Sequence, residues 1–154
     1  MQISKILQQE AVRVISSASS KKRLFQEIAE IAQSVYDLPA DKTVEALLER
    51  EGLGPTGVGH GVALPHARLD GLDQVVGVFM VLEKPLDFGA VDRQPVDIVF
   101  ALFAPENAGV DHLKALALVS RTLREQNYCT KLRSNPDPST LFTILTENQS
   151  VQAA

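Results

Sequence analysis

The spacing of apolar and polar residues predicts two helices early in the chain, strands in its middle and further helices towards its end. A short apolar run at 12–15 predicts a strand, and after the serine pair at 19–20 apolar residues recur every three or four positions. That period is typical of an amphipathic helix, which we expect to run to about Tyr36 with a serine as its cap. The same reasoning predicts a second helix, capped by Asp41 and ending near Gly52.

From position 62 the pattern changes to short, nearly continuous apolar runs. These runs occupy 62–64, 75–82 and 96–103, and the two longer ones are rich in Val, Ile and Phe. Continuous apolar character is typical of strands that are covered on both faces of a sheet. The two longer runs are therefore predicted to lie in the middle of the sheet.

Helical spacing returns after position 110. Asp111 is expected to cap a helix over 112–126. Its predicted buried stripe consists of Leu113, Leu116, Ala117, Val119 and Leu123. Residues 128–133 are expected to form a helical turn, and Asp137 followed by Pro138 is typical of the start of a last helix.

These elements predict an α/β fold with a mixed β-sheet flanked by helices. The chain has 154 residues, of which 45% are hydrophobic, and this suits one domain with a sizeable core. We expect a single domain over 1–154, with its core at about 5–147. The ends, 1–4 and 148–154, are predicted to be loose.

Charge and cysteine content narrow the classes of function. The net charge of −4 lacks the basic surplus typical of nucleic-acid binders, so no nucleic-acid partner is expected. Cys129 is the single cysteine, which predicts a buried free thiol in a reducing compartment. The sequence shows no secretory signal and no apolar run long enough to span a bilayer, so we expect a cytoplasmic protein without membrane insertion.

The glycine-rich segment Gly52–Gly57 matches the GxGxxG pattern of dinucleotide-binding proteins. That chemistry requires a strand before the glycines and a helix after them, so that the helix N-terminus meets the pyrophosphate. Here a predicted helix precedes the glycines and a predicted strand follows, and Pro55 restricts the turn. We interpret the segment as a structural loop and expect no cofactor.

Histidines are the candidates for chemistry near neutral pH, and the chain has 3 of them. His66 follows Pro65 at the expected end of the strand 62–64, at the sheet edge where reacting groups gather in open α/β folds. His112 lies at the start of a predicted helix, where the helix dipole favours a phosphate and disfavours a charged imidazole. From position alone, each of them could equally be a structural or surface histidine.

Three further polar residues have similarly open interpretations. Arg50 ends the second predicted helix, where its planar fork would suit a phosphoryl group, although it could also be a solvated helix-terminal charge. Thr56 offers a hydroxyl that could support a phosphate or only the turn. His60, between two glycines, is expected to be exposed.

Two segments carry a family resemblance that covers about 5–147. They read LEREGLGPTGVGHGVALPHARL and PLDFGAVDRQPVDIVFALFAPENAGVDHLKALALVSRTL. This combination of an RE-x-L-G-x-T-G-x-G-x-G motif, an aliphatic-Pro-His and a later HL opening a helix resembles enzyme IIA of the fructose/mannitol class. That enzyme is a component of the bacterial phosphoenolpyruvate-dependent phosphotransferase system.

The resemblance implies roles for individual residues. His66 matches the histidine that is phosphorylated, His112 the second active-site histidine that orients or stabilises the phosphoryl group, and Arg50 the arginine that neutralises its charge. Thr56 and Gly57 belong to the same motif and are expected to support the site. Transfer between two histidines exchanges like bonds, so alignment and charge neutralisation suffice, and no metal is expected.

The resemblance also implies partners. The start of the chain and the ENAGVDHL segment are most similar to the nitrogen-regulatory enzyme IIA. Such a protein accepts phosphate from a histidine phosphocarrier and signals nitrogen, carbon or potassium status to targets of the sensor-kinase or potassium-transport type. The main alternative is a sugar-transport enzyme IIA that passes phosphate to a fructose or mannitol permease domain. A binding domain without chemistry and a metal hydrolase are further alternatives that the residues favour less.

Overall fold

The computed structural model describes the backbone of residues 1–153 and the side chains of residues 1–147. A short 3-10 helix at Ile3–Lys5 precedes the regular elements. In chain order these are β1 (Leu7–Ile15), α1 (Lys21–Tyr36), α2 (Ala40–Gly52), β2 (Gly57–Gly59), β3 (Val62–Ala63), β4 (His66–Leu69), β5 (Val76–Leu86), β6 (Val96–Pro105), α3 (Val110–Arg124), α4 (Gln126–Arg133) and α5 (Pro138–Ala153).

The strands form one mixed sheet with the order β1-β5-β6-β3-β2, and β4 also pairs with β6. β5 and β6 are antiparallel, whereas β1 is parallel to β5, and β3 and β4 are parallel to β6. β5 and β6 occupy the centre, where consecutive residues are buried because both faces are covered. The predicted mixed α/β sheet and the central position of its two longest apolar strands are confirmed.

Pro65 lies between β3 and β4 but does not end the pairing of this segment with β6. β3 and β4 both run along β6, and the carbonyl of Pro65 accepts a hydrogen bond from the Leu102 N–H at 2.9 Å. A proline has no N–H to donate, yet its carbonyl still serves the ladder, so pairing resumes directly after it. The short strand β3 does end before His66, as predicted, but the prediction that pairing ends with it was wrong, because His66 is the first residue of β4.

The predicted caps of two helices were wrong. The N-caps of α2 and α3 are Pro39 and Gly109, and Asp41 and Asp111 lie in the first turns, where their charges favour the helix dipole without capping it. By contrast, the side chain of Ser20 accepts a hydrogen bond from the Arg23 N–H, as predicted for α1.

The buried face of α3 also differs from the predicted stripe. Leu113 is 65% exposed and Ala117 is exposed. The buried residues are His112, Ala115, Leu118, Val119, Thr122 and Leu123. Each helical residue turns the side chain by about 100°, so burying His112 directs the neighbouring Leu113 towards solvent. The polar residue that the stripe omitted therefore faces inward, and a leucine assigned to the core faces outward.

The N-terminal end is packed rather than loose. Ile3 is 0% exposed and belongs to the core, so the prediction for 1–4 was wrong. At the other end the backbone of α5 is helical through Ala153, while the side chains from 148 onward and residue 154 lie outside the described residues. Cys129 is a buried free thiol, as predicted. Among the described residues, none of the helices has the length and apolar character needed to cross a membrane.

Candidate functional site

Five polar side chains line an open groove of about 540 Å³ at one end of the sheet: the exposed carboxylate Glu49 and four nitrogen-bearing side chains. Arg50 comes from the end of α2, His66 and Arg68 from β4, and His112 from the first turn of α3. The groove therefore brings together the three residues that the sequence singled out for phosphate chemistry and adds one arginine to them. Their roles remain predictions, whereas their proximity is a feature of the fold.

His66 presents a single ring nitrogen to the groove. Its Nδ1 lies 2.9 Å from the carbonyl oxygen of Leu64. A carbonyl can only accept a hydrogen bond, so this contact requires the proton on Nδ1 and leaves a lone pair on Nε2. The Nε–H of Arg50 lies 3.3 Å from that Nε2 and donates to it. The local backbone and one arginine thus select the tautomer in which Nε2 is the nucleophilic atom.

The guanidinium of Arg50 is held in place without a carboxylate partner. Its Nη1–H donates to the carbonyl oxygen of Gly54 at 2.9 Å, which ties the side chain to the glycine-rich loop. The ion pairs of the described residues include neither Arg50 nor Arg68. Both guanidinium cations in the groove are therefore available to an anion.

His112 contacts His66 ring to ring and is itself buried. Its side chain is 6% exposed, and the ring centroids are 5.5 Å apart at an interplanar angle of 69°. The Nε–H of Arg68 lies 3.4 Å from Nδ1 of His112. Among the described residues, Nε2 of His112 is buried without a hydrogen-bond partner. A buried polar atom without a partner is costly, so this atom is expected to bind something that occupies the groove.

Both imidazoles are held in the neutral form near pH 7. Burial lowers the pKa of His66, and the charge of Arg50 adds to that effect, against the opposing hydrogen bond to Leu64. Burial, followed by the neighbouring His66 and the charge of Arg68, lowers the pKa of His112 from 6.5 to about 4. The groove thus combines two guanidinium cations, one exposed carboxylate (Glu49) and two uncharged rings, so that one positive charge is in excess and a nucleophile stays unprotonated.

Thr56 and Gly57 lie beside the groove and stabilise its loop. The hydroxyl of Thr56 donates to the carboxylate of Glu51, and its backbone N–H donates to the same carboxylate at 3.0 Å. Lys21 from α1 completes the cluster at 2.9 Å from Glu51. A Cβ at Gly57 would lie 2.7 Å from the Cβ of Ala90, so this position leaves no space for a side chain. Neither residue lines the groove.

His60 is exposed, as predicted, and lies outside the residues that line the groove. Its backbone N–H donates to Asp92 at 2.8 Å, and its ring Nδ1 lies 3.2 Å from Nε2 of Gln126. The described residues contain no group of three or more His, Cys, Asp or Glu side chains placed to hold a metal ion.

Arg68 is the groove residue that the sequence reasoning missed. Successive side chains of a strand point to opposite faces, so residues two apart share a face. His66 and Arg68 are two apart in β4, and this would have paired them had the four-residue strand been predicted. The short strand directly after a proline carries too weak a pattern to be recognised.

The described residues thus form an α/β protein whose mixed sheet carries, at one end, two neutral histidines and two arginines that form no ion pair. Residues 5–148 match the family described as "Phosphoenolpyruvate-dependent sugar phosphotransferase system, EIIA 2". The chain belongs to this family, and the resemblance stated from the sequence is confirmed.

Individual relatives agree with the family. The nitrogen regulatory protein of Bradyrhizobium diazoefficiens is 43% identical over 145 residues, covering 94% of this chain and 95% of the relative. The crystal structure of the nitrogen regulatory protein IIA-Ntr from Neisseria meningitidis has a TM-score of 0.87 at 34% identity, covering 94% of this chain and 99% of the other. The IIA mannitol protein of Escherichia coli has a TM-score of 0.76 at 20% identity, covering 90% and 97%, and therefore shows that the fold is shared.

Proposed function

We propose that this protein is a cytoplasmic regulatory phosphocarrier that accepts a phosphoryl group on Nε2 of His66 from a histidine phosphocarrier. The observation that carries the proposal is the fixed tautomer of His66, whose Nε2 lone pair faces a groove while Nδ1 is bonded to Leu64. The phosphorylation state then changes which partners the protein binds. We expect these partners to report nitrogen, carbon or potassium status and to be of the sensor-kinase or potassium-transport type.

The transfer is a displacement at phosphorus. The lone pair of His66 Nε2 forms the new P–N bond as the P–N bond to the donor's imidazole breaks and its electron pair returns to that ring. Because like bonds are exchanged, the reaction needs alignment and charge neutralisation more than driving force. A neutral His66 is the reactive form, which agrees with the lowering of its pKa by burial.

Arg50 and His112 act on the phosphoryl group in this proposal. The Arg50 Nε–H that now donates to Nε2 of His66 is next to the position that the phosphoryl oxygens would take. A guanidinium forms strong, charge-assisted hydrogen bonds to such oxygens. The ring of His112 contacts that of His66, and its Nε2 has no hydrogen-bond partner among the described residues. This atom supplies a further hydrogen-bond donor to the phosphoryl group when it carries the proton.

The rim of the groove has the apolar surface that a docking phosphocarrier requires. Leu53 is 84% exposed and Leu113 is 65% exposed, and both line the groove. Exposed acidic residues, Glu49 and Asp111, lie in the same two helices. An apolar contact around the histidines excludes water from the transfer, while acidic rim residues suit a basic donor surface.

The nitrogen-regulatory role is favoured over sugar transport by the sequence identity of the relatives cited above. The relatives cited above at 43% and 34% identity are both nitrogen regulatory proteins. In the alternative, a sugar-transport enzyme IIA, the phosphate on His66 would pass to a fructose or mannitol permease domain. The groove chemistry is the same in both, so the recipient of the phosphate distinguishes them.

A reconstituted transfer assay tests the proposal. The assay compares the parent protein with His66→Ala and with the control His60→Ala. Each is incubated with phosphoenolpyruvate that carries a labelled phosphoryl group, enzyme I and a histidine phosphocarrier. The label that the protein retains in alkali and loses in acid is then counted. We expect label on the parent and on His60→Ala, and none on His66→Ala. Label retained by His66→Ala would refute the proposed acceptor.

A second assay tests the recipient. Adding permease domains and sugar to the same mixture should give no sugar phosphate if the protein is a regulator, and sugar phosphate would favour the transport alternative. A pull-down with parent and His66→Ala, with and without phosphoenolpyruvate, should then show partners whose binding changes only for the parent.

A further inference from the structure

Arg68 makes two contacts that join β4 to the first turn of α3 and to the loop before it. Its Nε–H points to Nδ1 of His112 at 3.4 Å, and its Nη1–H donates to the carbonyl oxygen of Glu106 at 3.3 Å. It forms no ion pair among the described residues. The charge of Arg68 is therefore directed at His112 and the adjoining backbone rather than at a carboxylate.

The contact with His112 determines where the proton of that ring lies. An arginine side chain donates and does not accept, so Nδ1 of His112 must be the acceptor, and the single proton of the neutral ring must be on Nε2. A neutral imidazole without such a partner exchanges between its two tautomers. In the other tautomer Nε2 would present a lone pair, which would repel a phosphoryl oxygen.

The position of Nε2 shows what this proton serves. The atom is buried, has no partner among the described residues and belongs to the ring that contacts His66 at 5.5 Å between centroids. An N–H held there is a prearranged donor, which costs nothing to reorganise when negative charge arrives. Two neighbouring residues thus have opposite requirements: His66 needs the lone pair on Nε2, and His112 needs the proton on Nε2.

We propose that Arg68 is a positioning residue that holds His112 in the Nε2–H tautomer, so that this N–H donates to the phosphoryl group on His66. The proposal rests on the proposed function, because it assigns a donor to the phosphoryl group that His66 receives. It differs from a general role in attracting the phosphate, since in that role Arg68 would act without His112.

The tautomer is measured directly by long-range ¹H–¹⁵N correlation spectra of the histidine rings in the unphosphorylated protein near neutral pH. Three proteins are compared: the parent, Arg68→Met, and the control Arg124→Met, which removes the same charge from the exposed far end of α3. We expect the parent and the control to show a protonated Nε2 and an unprotonated Nδ1 in His112. Arg68→Met should show averaged nitrogen shifts, as expected of a ring that exchanges tautomers.

A double-mutant cycle then tests whether Arg68 acts through His112. Transfer rates are measured for the parent, Arg68→Met, His112→Ala and the double variant. We expect Arg68→Met to slow phosphoryl transfer about tenfold relative to the parent. Outright loss of a prearranged donor costs roughly 100- to 1,000-fold, and the effect is smaller here because the ring still adopts the Nε2–H tautomer part of the time. In the His112→Ala background the same substitution should change the rate less than twofold.

Each result decides the proposal. Three results would overturn it: a parent His112 with its proton on Nδ1, an unchanged His112 tautomer in Arg68→Met, or a tenfold effect of Arg68→Met on the transfer rate in the His112→Ala background. Arg68 is exposed, so its substitution is not expected to unfold the protein, and backbone amide spectra of each variant check this. If the parent itself takes no label in the transfer assay, the proposed function fails; if it does and the ring or cycle results disagree, only the role of Arg68 fails.

Discussion

The buried ring of His112 makes the stability of this protein depend on pH in a predictable direction. Its pKa is lowered from 6.5 to about 4 by burial, by His66 and by the charge of Arg68. In the unfolded chain the ring has an ordinary pKa of about 6.5. Between these values the unfolded state binds a proton that the folded state does not, so the free energy of unfolding falls as the pH falls. Above about pH 6.5 neither state is protonated, and the contribution to stability is complete.

The size of the effect follows from the shift. One pKa unit corresponds to about 1.4 kcal/mol, so lowering the pKa from 6.5 to about 4 gives about 3 kcal/mol. This loss accumulates between about pH 6.5 and about pH 4 and stops below it. A domain of this size is stable by about 5–15 kcal/mol in total, so one ring accounts for a substantial part.

Urea unfolding followed by far-ultraviolet circular dichroism measures this loss. Parent, His112→Asn and the control His60→Asn are compared at pH values from about 7.5 down to about 4. The lowered pKa of His66 affects all three proteins, so the comparison isolates His112. We expect the free energy of unfolding of the parent and of His60→Asn to fall by about 3 kcal/mol more than that of His112→Asn over this range. Equal pH dependence in all three proteins would show that His112 titrates normally and would refute the reasoning.

Three further predictions concern the loop and the rim of the groove. Gly57→Ala should lower the free energy of unfolding by about 1–3 kcal/mol because the new Cβ would lie 2.7 Å from the Cβ of Ala90; an unchanged urea midpoint would contradict this. Thr56→Val should cost about 1–2 kcal/mol in the same assay, since it removes a hydroxyl that donates to the buried carboxylate of Glu51. Leu113→Ser should raise the KM for the phosphocarrier severalfold and leave the urea midpoint unchanged; a normal KM would remove this residue from the docking surface.

The elements with a long, regular pattern could be predicted from the sequence. The helix α1 carries a full apolar stripe and a serine cap, and the central strands β5 and β6 are continuous apolar runs, so period and composition suffice to assign them. Short elements lack such a pattern. β4 has four residues directly after a proline, and its assignment depends on pairing with β6, which is a tertiary contact.

The candidate site was also predictable only in part, because its residues carry a recognisable motif whereas their contacts are tertiary. Motif resemblance singled out His66, His112 and Arg50, and the fold brings them together. Their chemistry depends on partners that sequence does not place: the Leu64 carbonyl that selects the tautomer of one ring, and the Arg68 guanidinium that contacts the other. In α3, Val119 and Leu123 are buried as predicted, but Leu113 is exposed, because the stripe was assigned from apolar residues alone and the buried polar His112 turns its neighbour to solvent.

The residue next to Arg50 shows why this guanidinium forms no ion pair among the described residues. Glu51 could pair with a neighbouring guanidinium and cancel its charge, but its carboxylate accepts hydrogen bonds from Thr56 and pairs with Lys21 at 2.9 Å. The carboxylate is thereby occupied on the other side of the loop, and Arg50 keeps its charge for the groove. The cations of the groove are arginines, whose charge is permanent, while burial keeps the rings of His66 and His112 neutral near pH 7. In the proposed function the arginines thus attract the anion and the neutral His66 acts as the nucleophile. Because different side chains carry the positive charge and the lone pair, the charge does not reduce the nucleophilicity.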